Sequence, residues 1–589
     1  MAVTPRLSLI SIALLVAGCS ESVPLQADAD VSRDGSNADA VTIDAAELDD
    51  APPDAAPSPD AAPPPDTAEA DATDLADAMP DAATPDAAPP PDAADVVTLT
   101  VRLDGPGQGA IAVGTATCTS VCTYVLPRGT AVTLDASVSV GPFHGWWGGA
   151  CNGSTSTTCA VVLDGDTTAR AVAGEGALLW LRPLQTTGSR TINDLAAHGG
   201  RAYFTGSFGG TLTFGAQSLS AGGASAWLVA AVDGIDATPA WAHRFVGTDV
   251  GPGVVAADAA GVVAAIRWSG TLDLGDGPLD PVGATATTIG AFDANGTLAW
   301  TRTLLPTVTD AMVVPWDVAV RDDTVVIVGI FWRTVDLLGA TVTSQGQNGN
   351  DAFVIALDRA TGAVKWRRTF SAPGHNDAEA VTVLGGGDVV VAGQQVAPID
   401  LGGGPVRAST GVDTWLVRLD GATGAHVWSR SVGTAGDEYA NGLATAPGDT
   451  VVLATRMYRN ASQPTLDLGD GVTVTATTDH GTVVSRWSAG GEPTWATFVE
   501  WLDGRRGLAA PGARLWLGAG GRIVGVDLDG AVVVNRSTGS SQYLLFGSIA
   551  PVGAALFVAG SGAVEHDLDG IASPTPVGGF LARIGTASP

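Results

Sequence analysis

The chain has 589 residues, more than one hydrophobic core can serve, so several domains are expected. Acidic residues number 61 against 29 lysines and arginines, and the net charge of -32 argues against nucleic acid or an anionic membrane surface as the main partner. Much of this charge falls between Val23 and Asp95, where Arg33 is the only base, so the remainder is closer to neutral.

Residues 1–18 fit an export signal. Arg6 precedes an apolar run from Leu7 to Val16, which is shorter than the roughly 20 apolar residues of a bilayer span. Val16-Ala17-Gly18-Cys19 resembles the bacterial lipobox, in which the cysteine is acylated, with palmitate among the acyl groups, and becomes the mature N-terminus. The resemblance implies lipidation of Cys19, an anchor of more than one acyl chain, and a protein held at the outer membrane or cell surface. The alternative is an ordinary signal peptide with an incidental cysteine.

Residues 19–95 are mostly Asp, Ala and Pro, as in Asp54-Ala-Ala-Pro-Ser-Pro-Asp60. With few aromatic or branched side chains, such a segment cannot bury enough apolar surface to offset the entropy lost on ordering. Proline favours extended polyproline II and like charges repel each other. We therefore expect a disordered, stiffened linker. Calcium-binding Asp loops would require glycine turns and regular ligand spacing, which this segment lacks.

Residues 96–174 are expected to form a small β-rich domain. Alternating segments such as Val97–Val101 and Ala131–Asp135 indicate strands, and four cysteines lie among the glycine-rich turns: Cys118, Cys122, Cys151 and Cys159. In an exported domain with little core, disulfides are favoured over a zinc site, and of the three possible pairings we favour Cys118 with Cys122 and Cys151 with Cys159. The Cys-x3-Cys, the following strand and Phe143-His-Gly-Trp-Trp-Gly-Gly-Ala-Cys151 resemble a bacterial repeat distantly related to internalin B-repeats.

Two adjacent tryptophans in this domain, Trp146 and Trp147, allow two interpretations. They could form an exposed platform on which a sugar ring stacks. In so small a domain, however, at least one is expected to belong to the core.

From residue 175 to 585 the chain repeats, and the repeats predict a β-propeller. In most units an apolar strand ends in Asp, a turn follows, and a return strand carries Trp, as in Ala356-Leu-Asp-Arg-Ala-Thr-Gly-Ala-Val-Lys-Trp366, whereas in the sixth unit Val532-Val-Val534 replaces the Trp strand. Gly296, Gly362 and Gly424 supply the left-handed turn conformation. The tryptophans, expected to pack between neighbouring blades, are Trp180, Trp241, Trp300, Trp366, Trp428 and Trp495.

Four strands per unit and seven first strands predict a seven-bladed, all-β propeller. First strands are expected near Asp194, Val254, Val318, Val381, Leu443, Leu508 and Leu545. Most units carry an Asp-Leu-Gly insert, as at Asp400, which predicts a hairpin between the second and third strands. The last unit lacks a Trp strand, and residues 178–182 lack a preceding unit, so their pairing would close the ring.

The Ala-x-Asp-x-x-Thr-Gly-x-x-x-Trp phrase resembles the repeat of quinoprotein-like propellers, and the units with inserts look like long repeats of bacterial surface propellers. Quinoprotein dehydrogenases hold pyrroloquinoline quinone between a tryptophan and a disulfide of adjacent cysteines. All five cysteines here lie at or before Cys159, so the predicted propeller has no such partner.

No catalytic, cofactor-binding or metal-binding residue is predicted. His375-Asn376-Asp377 is the most suggestive polar cluster, and a hydrogen-bonded turn explains it better than a catalytic base. We expect a monomeric, non-catalytic binding, adhesion or scaffold module whose ligand is an unknown protein or glycan, and which meets the membrane only through its lipid. The alternatives are a quinone-dependent periplasmic dehydrogenase and an outer-membrane assembly scaffold.

Overall fold

The computed structural model describes residues 95–147, 151–223, 225–273, 278–279, 284–345, 349–407, 409–458, 464–500, 507–510, 514–519, 522–537, 544–552, 555–562 and 578–586. The predicted signal peptide, Cys19 and nearly all of the predicted linker fall outside these ranges. The described residues belong to one compact unit. They are all-β, and they include no helix of the length and apolarity needed to cross a bilayer.

Two four-stranded sheets precede the repeats. Their strands are β1 (Val96–Asp104), β2 (Gln108–Val113), β3 (Ala116–Cys118), β4 (Val121–Pro127), β5 (Ala131–Val140), β6 (Phe143–Trp146), β7 (Thr158–Val162) and β8 (Thr167–Ala173). The strand orders are β4-β1-β8-β6 and β3-β2-β5-β7. Alternate side chains of β1 and β5, among them Leu99 and Leu134, meet between the sheets and are fully buried. Trp146, on β6, is fully buried in the same core.

The repeats form the four-strand units of a β-propeller. In chain order the strands are β9 (Leu178–Pro183), β10 (Gln185–Thr186), β11 (Arg190–His198), β12 (Arg201–Phe208), β13 (Thr211–Phe214), β14 (Gln217–Ser220), β15 (Ala226–Asp233), β16 (Pro239–Asp258), β17 (Gly261–Asp273), β18 (Pro278–Leu279), β19 (Thr285–Phe292), β20 (Leu298–Pro306), β21 (Met312–Arg321), β22 (Thr324–Trp332), β23 (Thr334–Asp336), β24 (Thr341–Thr343), β25 (Asp351–Asp358), β26 (Val364–Phe370), β27 (Asn376–Val383), β28 (Val389–Gln395), β29 (Ile399–Asp400), β30 (Pro405–Val406), β31 (Asp413–Leu419), β32 (His426–Val432), β33 (Asp437–Ala446), β34 (Thr450–Tyr458), β35 (Thr465–Gly469), β36 (Val472–Thr475), β37 (His480–Trp487), β38 (Pro493–Glu500), β39 (Leu508–Ala509), β40 (Arg514–Ala519), β41 (Arg522–Asp527), β42 (Val532–Ser537), β43 (Leu544–Val552), β44 (Ala555–Gly562) and β45 (Gly578–Gly585).

Each unit is an antiparallel meander. Units 1 to 3 are β11-β12-β15-β16, β16-β17-β19-β20 and β21-β22-β25-β26, with the long β16 shared between the first two. Units 4 to 7 are β27-β28-β31-β32, β33-β34-β37-β38, β39-β40-β41-β42 and β43-β44-β45-β9. All seven predicted first strands are present, and the predicted inserts form the hairpins β23–β24, β29–β30 and β35–β36. In unit 7 the fourth strand is β9, from before unit 1, which pairs antiparallel with β45.

The apolar clusters lie between units rather than within them. One cluster joins Val354 and Trp366 of unit 3 to Val391 of unit 4, and another joins Phe204 of unit 1 to Phe557 of unit 7. A single four-stranded sheet has two faces to bury, so each unit depends on its neighbours.

The indole N–H of each repeat tryptophan donates to a backbone carbonyl in the turn of the following unit. Trp300 donates to Arg359 at 3.0 Å, Trp366 to Gly421 at 2.8 Å, and Trp180, on β9, to Ile235 of unit 1 at 2.6 Å. Trp241, Trp428 and Trp495 make the same contact.

Most turns that receive an indole have glycine beside the ring, while the turn that receives Trp180 has Ala237 there, with a φ of 61°. Gly362 has a φ of 67°, and a Cβ there would lie 2.6 Å from the ring of Trp300. Asp358 holds this turn, since its Oδ1 accepts from the Thr361 hydroxyl at 2.6 Å and the Thr361 amide at 2.9 Å. These hydrogen bonds keep the pKa of Asp358 below its ordinary value.

A second contact joins neighbouring units at their first strands. Asp194 accepts from the amide of Val255 in unit 2, and Asp317 accepts from the amide of Val381 in unit 4, both at 2.8 Å. Between unit 7 and unit 1 the hydroxyl of Ser548 takes the corresponding place, accepting from the amide of Leu195 at 3.2 Å. First strands therefore contact one another in sequence from β11 to β43, and β43 contacts β11.

Replacing a repeat tryptophan should destabilise the propeller strongly. Trp366→Ala removes a buried indole and its hydrogen bond, so we expect urea unfolding to show a loss of about 3–5 kcal/mol. Trp180→Ala should cost a similar amount, because β9 makes the same contact with unit 1. Val427→Ala, at an exposed side chain beside Trp428, should change stability by less than about 0.5 kcal/mol. A Trp180→Ala variant as stable as the parent would mean that units 7 and 1 do not support each other.

Candidate functional site

The first strands of units 1, 3, 4 and 5 each carry a β-bulge close to where the strand begins. The register between first and second strands shifts so that Asn193, Trp316, Glu379 and Asn441 are each an extra residue. A bulge turns one side chain out of the regular alternation, and bulges are common beside binding sites. We call the edge of the propeller where β11, β21, β27 and β33 begin and β12, β22, β28 and β34 end the starting edge. The bulge residues at this edge differ from unit to unit, with asparagine in units 1 and 5, tryptophan in unit 3 and glutamate in unit 4.

At unit 4 the starting edge holds a chain of hydrogen-bonded polar side chains. Nδ1 of His375 donates to the amide oxygen of Asn350, and the Asn350 amide donates to the carboxylate of Asp377. The amide of Gln394 donates to Asp377 at 2.5 Å and to Glu379 at 3.3 Å. Apart from the exposed His375 and the part-buried Gln394, these side chains are buried, so their mutual bonds hold the edge in one arrangement.

Asn376, within the same cluster, has the role expected of a turn residue. Its side-chain amide donates to the carbonyl of Ala372 at 2.8 Å and to that of Gly374 at 3.4 Å. Asn376 and Asp377 are the first two residues of β27, and the Asn376 hydrogen bonds hold the bend that precedes this strand.

Unit 5 presents an aromatic row along the starting edge. The guanidinium of Arg456 lies 4.9 Å from the ring centre of Tyr439 and 5.2 Å from that of Tyr458. Tyr458 meets Tyr439 edge to face at 5.9 Å and has His480 at 6.5 Å on its other side. Tyr458 is 40% exposed, so the row offers a fixed ring and a polar tip to a ligand. We call Tyr439, Arg456, Tyr458 and His480 the aromatic row.

Two buried polar atoms close to the aromatic row have no hydrogen-bond partner within the described chain. They are Nδ2 of Asn441, the bulge residue of unit 5, and the hydroxyl of Thr455, which is opposite the bulge. The side chains are 6% and 1% exposed. At the position of Thr455, units 1, 3 and 4 have glycine. In unit 3 this glycine is Gly329, where a Cβ would lie 2.0 Å from a backbone oxygen. Unit 5 thus departs from the repeat at the point where its aromatic row begins.

Three carboxyl groups meet where unit 4 packs on unit 5. Glu438 is fully buried, and its two oxygens accept from the amide and the hydroxyl of Thr434, both at 2.7 Å. Asp413 is 2% exposed and accepts from the hydroxyl of Ser409 at 2.5 Å. Asp437 accepts from the amide of Val412 at 2.9 Å.

Burial raises the pKa of Glu438 to about 7, and repulsion from Asp413 and Asp437 adds to this while the Thr434 hydrogen bonds oppose it. Burial also raises the pKa of Asp413. The described part of the chain has no group of three or more His, Cys, Asp or Glu side chains placed to hold a metal ion.

An open cleft of about 500 Å3 lies on the outer side, between the fourth strand of unit 3 and the insert of unit 4. His426 stands over Gly402 and Gly403 at its wall, with Asp400 and Arg368 nearby. The Arg368 guanidinium donates to the carbonyls of Gly424 and Thr423, at 2.8 and 2.9 Å, so it fastens unit 3 to unit 4. The cleft is polar, but its charged groups already serve the fold.

The cysteines and tryptophans of the small sheets have structural positions. Disulfides join Cys118 to Cys122 and Cys151 to Cys159, as predicted, with Cα–Cα distances of 5.9 and 6.1 Å. Trp146 and Trp147 are 0% and 7% exposed. The alternative of an exposed sugar platform at these two tryptophans is therefore wrong.

Two features were missed from the sequence. The residue two places after a repeat tryptophan reaches into the next turn: Arg302 donates to Gly362 at 2.9 Å, and His243 to Gly296 at 2.6 Å. The signal was the recurrence of Trp-x-Arg. The bulge residues had no sequence signal, because their place follows from strand register alone.

Comparison with known proteins gives no family assignment. Neither a family model nor a curated protein matches the chain. Among solved structures, the europium-containing methanol dehydrogenase matches with a TM-score of 0.35 and 12% identity, over 69% of this chain and 93% of that one. Quinohemoprotein alcohol dehydrogenase from Comamonas testosteroni gives 0.33 and 11%, over 84% and 77%. The Dos1 propeller gives 0.37 and 9%, over 70% and 97%. Likenesses this distant say nothing about activity.

The buried Glu438 should make stability fall as pH rises. The folded protein holds the Glu438 proton up to about pH 7, whereas the ordinary value is 4.5, so stability is lost between these two pH values. A shift of this size corresponds to at most about 3 kcal/mol. In Glu438→Gln the neutral amide replaces the acid, so the variant should be more stable than the parent at pH 7.5 and similar at pH 4.5, by urea denaturation.

The exposed Glu492 is the matched control, since hydrogen bonds from Ser488 lower its pKa. Glu492→Gln should not reproduce the gain at pH 7.5. If Glu438→Gln is less stable than the parent at both pH values, Glu438 is ionised in the folded protein and the assignment is wrong.

Proposed function

We propose that this protein is an exported, lipid-anchored binding module, in which a propeller displayed on an acidic linker holds a protein or glycan ligand at its starting edge without catalysing a reaction. The observation that carries the proposal is the aromatic row of unit 5. Tyrosine and arginine are enriched where partners bind, and these side chains are fixed before any ligand arrives. Ligand binding would then require little further ordering.

We further infer a closed ring of seven blades, in which β9 completes the last blade. The inference is supported by the β9–β45 pairing and by the Ser548 contact with Leu195, which repeats between units 7 and 1 what Asp194 and Asp317 do elsewhere. A closed ring has no free sheet edge and gives the starting edge a rigid base.

Binding is favoured over a quinone-dependent reaction. A quinone enzyme of the type the repeat resembles stacks its cofactor on a disulfide, and residues 175–585 have no cysteine. The most suggestive polar cluster, around His375, is occupied with internal hydrogen bonds. We propose that the protein acts as a monomer, at the outer membrane or cell surface, and contacts the membrane through acyl chains on Cys19.

Removing the exposed ring of Tyr458 should weaken ligand binding. Residues 95–589 would be purified with disulfides intact, labelled, and applied to a glycan array and to immobilised envelope extract. We expect Tyr458→Ala to lower affinity at least about tenfold, since a central aromatic contact contributes more than about 1.4 kcal/mol. The matched control is Val427→Ala, another exposed side chain, far from the starting edge. Equal binding by Tyr458→Ala and the parent would remove the aromatic row as the site.

Membrane attachment should depend on Cys19. In cells grown with a radiolabelled fatty acid, the parent should be labelled and should sediment with membranes, whereas Cys19→Ser should be unlabelled and released, because its acyl chains are the only anchor proposed. Cys118→Ser with Cys122→Ser removes two cysteines without touching the anchor and should keep the label. Membrane retention of unlabelled Cys19→Ser would refute the lipid anchor.

A further inference from the structure

The first and last strands of the small sheets lie side by side and run in the same direction. β1 pairs parallel with β8 over six register positions, from Leu99 opposite Thr167 to Asp104 opposite Val172. On its other side β1 pairs with β4 over seven positions, from Val96 opposite Pro127 onward. β1 is thus an inner strand, bonded along both edges.

This arrangement determines how the small sheets respond to tension along the chain. A pull on the N-terminal end of β1, resisted at the C-terminal end of β8, makes the two parallel strands slide past each other. The hydrogen bonds between them are then loaded together. A pull that separates the paired end of a hairpin breaks the same kind of bond one at a time, each of modest strength.

The end of β8 leads directly into the strand that completes unit 7. Between them, Gly176 donates to the carbonyl of Gly585 at 2.8 Å, and Gly585 donates back to Ala177 at 2.9 Å. Since Leu178 is paired with Ile584, tension arriving here would begin to peel β9 from β45.

A buried arginine of the small sheets holds this junction. The guanidinium of Arg170 donates to the carbonyls of Leu178 and Leu179, both at 2.8 Å, and forms an ion pair of 2.6 Å with Asp104 at the end of β1. Arg170 and Asp104 are 6% and 8% exposed. One side chain therefore ties together β8, which bears it, the end of β1 and the start of β9.

Two side chains of unit 6 also contact the junction, at Glu175 and Gly176. Arg536 donates to the carbonyl of Gly176 at 2.6 Å, and Arg514 pairs with the carboxylate of Glu175. From unit 7, the guanidinium of Arg583 lies 5.2 Å from the ring centre of Trp147. Tension leaving β8 thus has routes into units 6 and 7 that do not pass along β9.

We propose that the small β domain is a force-bearing coupling: it takes tension from the N-terminal segment in shear and passes it to the body of the propeller, so that β9 stays paired with β45. The source of that tension, an anchored N-terminus and a ligand held at the starting edge, rests on the proposed function. The shear resistance and the junction do not depend on it.

Single-molecule pulling tests the coupling in residues 95–589. One handle precedes Asp95, and the other is inserted between Asp470 and Gly471, at the exposed turn of β35–β36. We expect the small sheets and β9 to hold until one high-force rupture. A second version of the protein has its handle between Arg128 and Gly129, next to the end of β4, so that β1 separates from β4 pair by pair. There β1 should leave β4 at a force several-fold lower, although the hydrogen bonds are of the same kind and β1 pairs with β4 over seven positions and with β8 over six.

Arg170→Ala should abolish the single rupture with the Asp470 handle, replacing it with an earlier, weaker step whose length matches release of β9. Arg536→Ala, a milder change at the same junction, should shift the rupture in the same direction, and retained disulfides and thermal unfolding would show that both variants fold. Arg244→Ala, an arginine of unit 1 remote from the junction, should leave the rupture unchanged.

Equal rupture forces with the two handle positions would overturn the shear mechanism, and unchanged rupture in both Arg170→Ala and Arg536→Ala would overturn the junction. These readouts involve neither ligand nor lipid. Failure of the Cys19 or Tyr458 experiments would therefore refute the proposed source of the tension but not the mechanical strength of the domain. Failure of the pulling experiments would refute the coupling but not the binding function.

Discussion

The contact between a repeat tryptophan and the turn of the next unit is the constraint on which the propeller depends. The Asp-x-x-Thr-Gly turn and the tryptophan occur together in one sequence phrase, but they serve different interfaces: the turn of one unit receives the indole of the unit before it. Each four-stranded sheet has two apolar faces and no core of its own, so stability comes from the interfaces. The small sheets join this scheme, since Trp147 and Val172 belong to the cluster shared by units 7 and 1.

The bulge is the place where a constant backbone carries varied chemistry. Asn193, Trp316, Glu379 and Asn441 occupy equivalent places in the strand pairing, yet they differ in size, charge and aromatic character. Because the bulge is fixed by inter-unit contacts such as that of Asp317 with Val381, the side chain at the bulge can change without disturbing the packing. The starting edge can therefore differ from unit to unit while the interfaces stay alike.

The sequence predicted the architecture from local signals: alternating strands, a tryptophan that recurs in most units, glycines at turns, and closely spaced cysteine pairs. Such signals act over a few residues and need no knowledge of the partner strand. The candidate site could not be predicted in this way. Glu438 follows Gly433, Gly436 and Asp437 and looks like part of an exposed turn, yet it is buried because Val412 and Thr414 of unit 4 hydrogen-bond around it. The aromatic row likewise combines residues from three strands, and it becomes visible only when their register is known.

The pairing of β9 with β45 links the first strand of the repeat region to the last. During synthesis β9 emerges before the other strands of unit 7, so the edge that will pair with β45 stays unpaired while six units form. The small sheets, complete before β9 emerges, can fold first and hold its leading residues through Arg170. The same guanidinium would then act as a chaperone within the chain, keeping an unpaired strand from premature partners until β45 arrives.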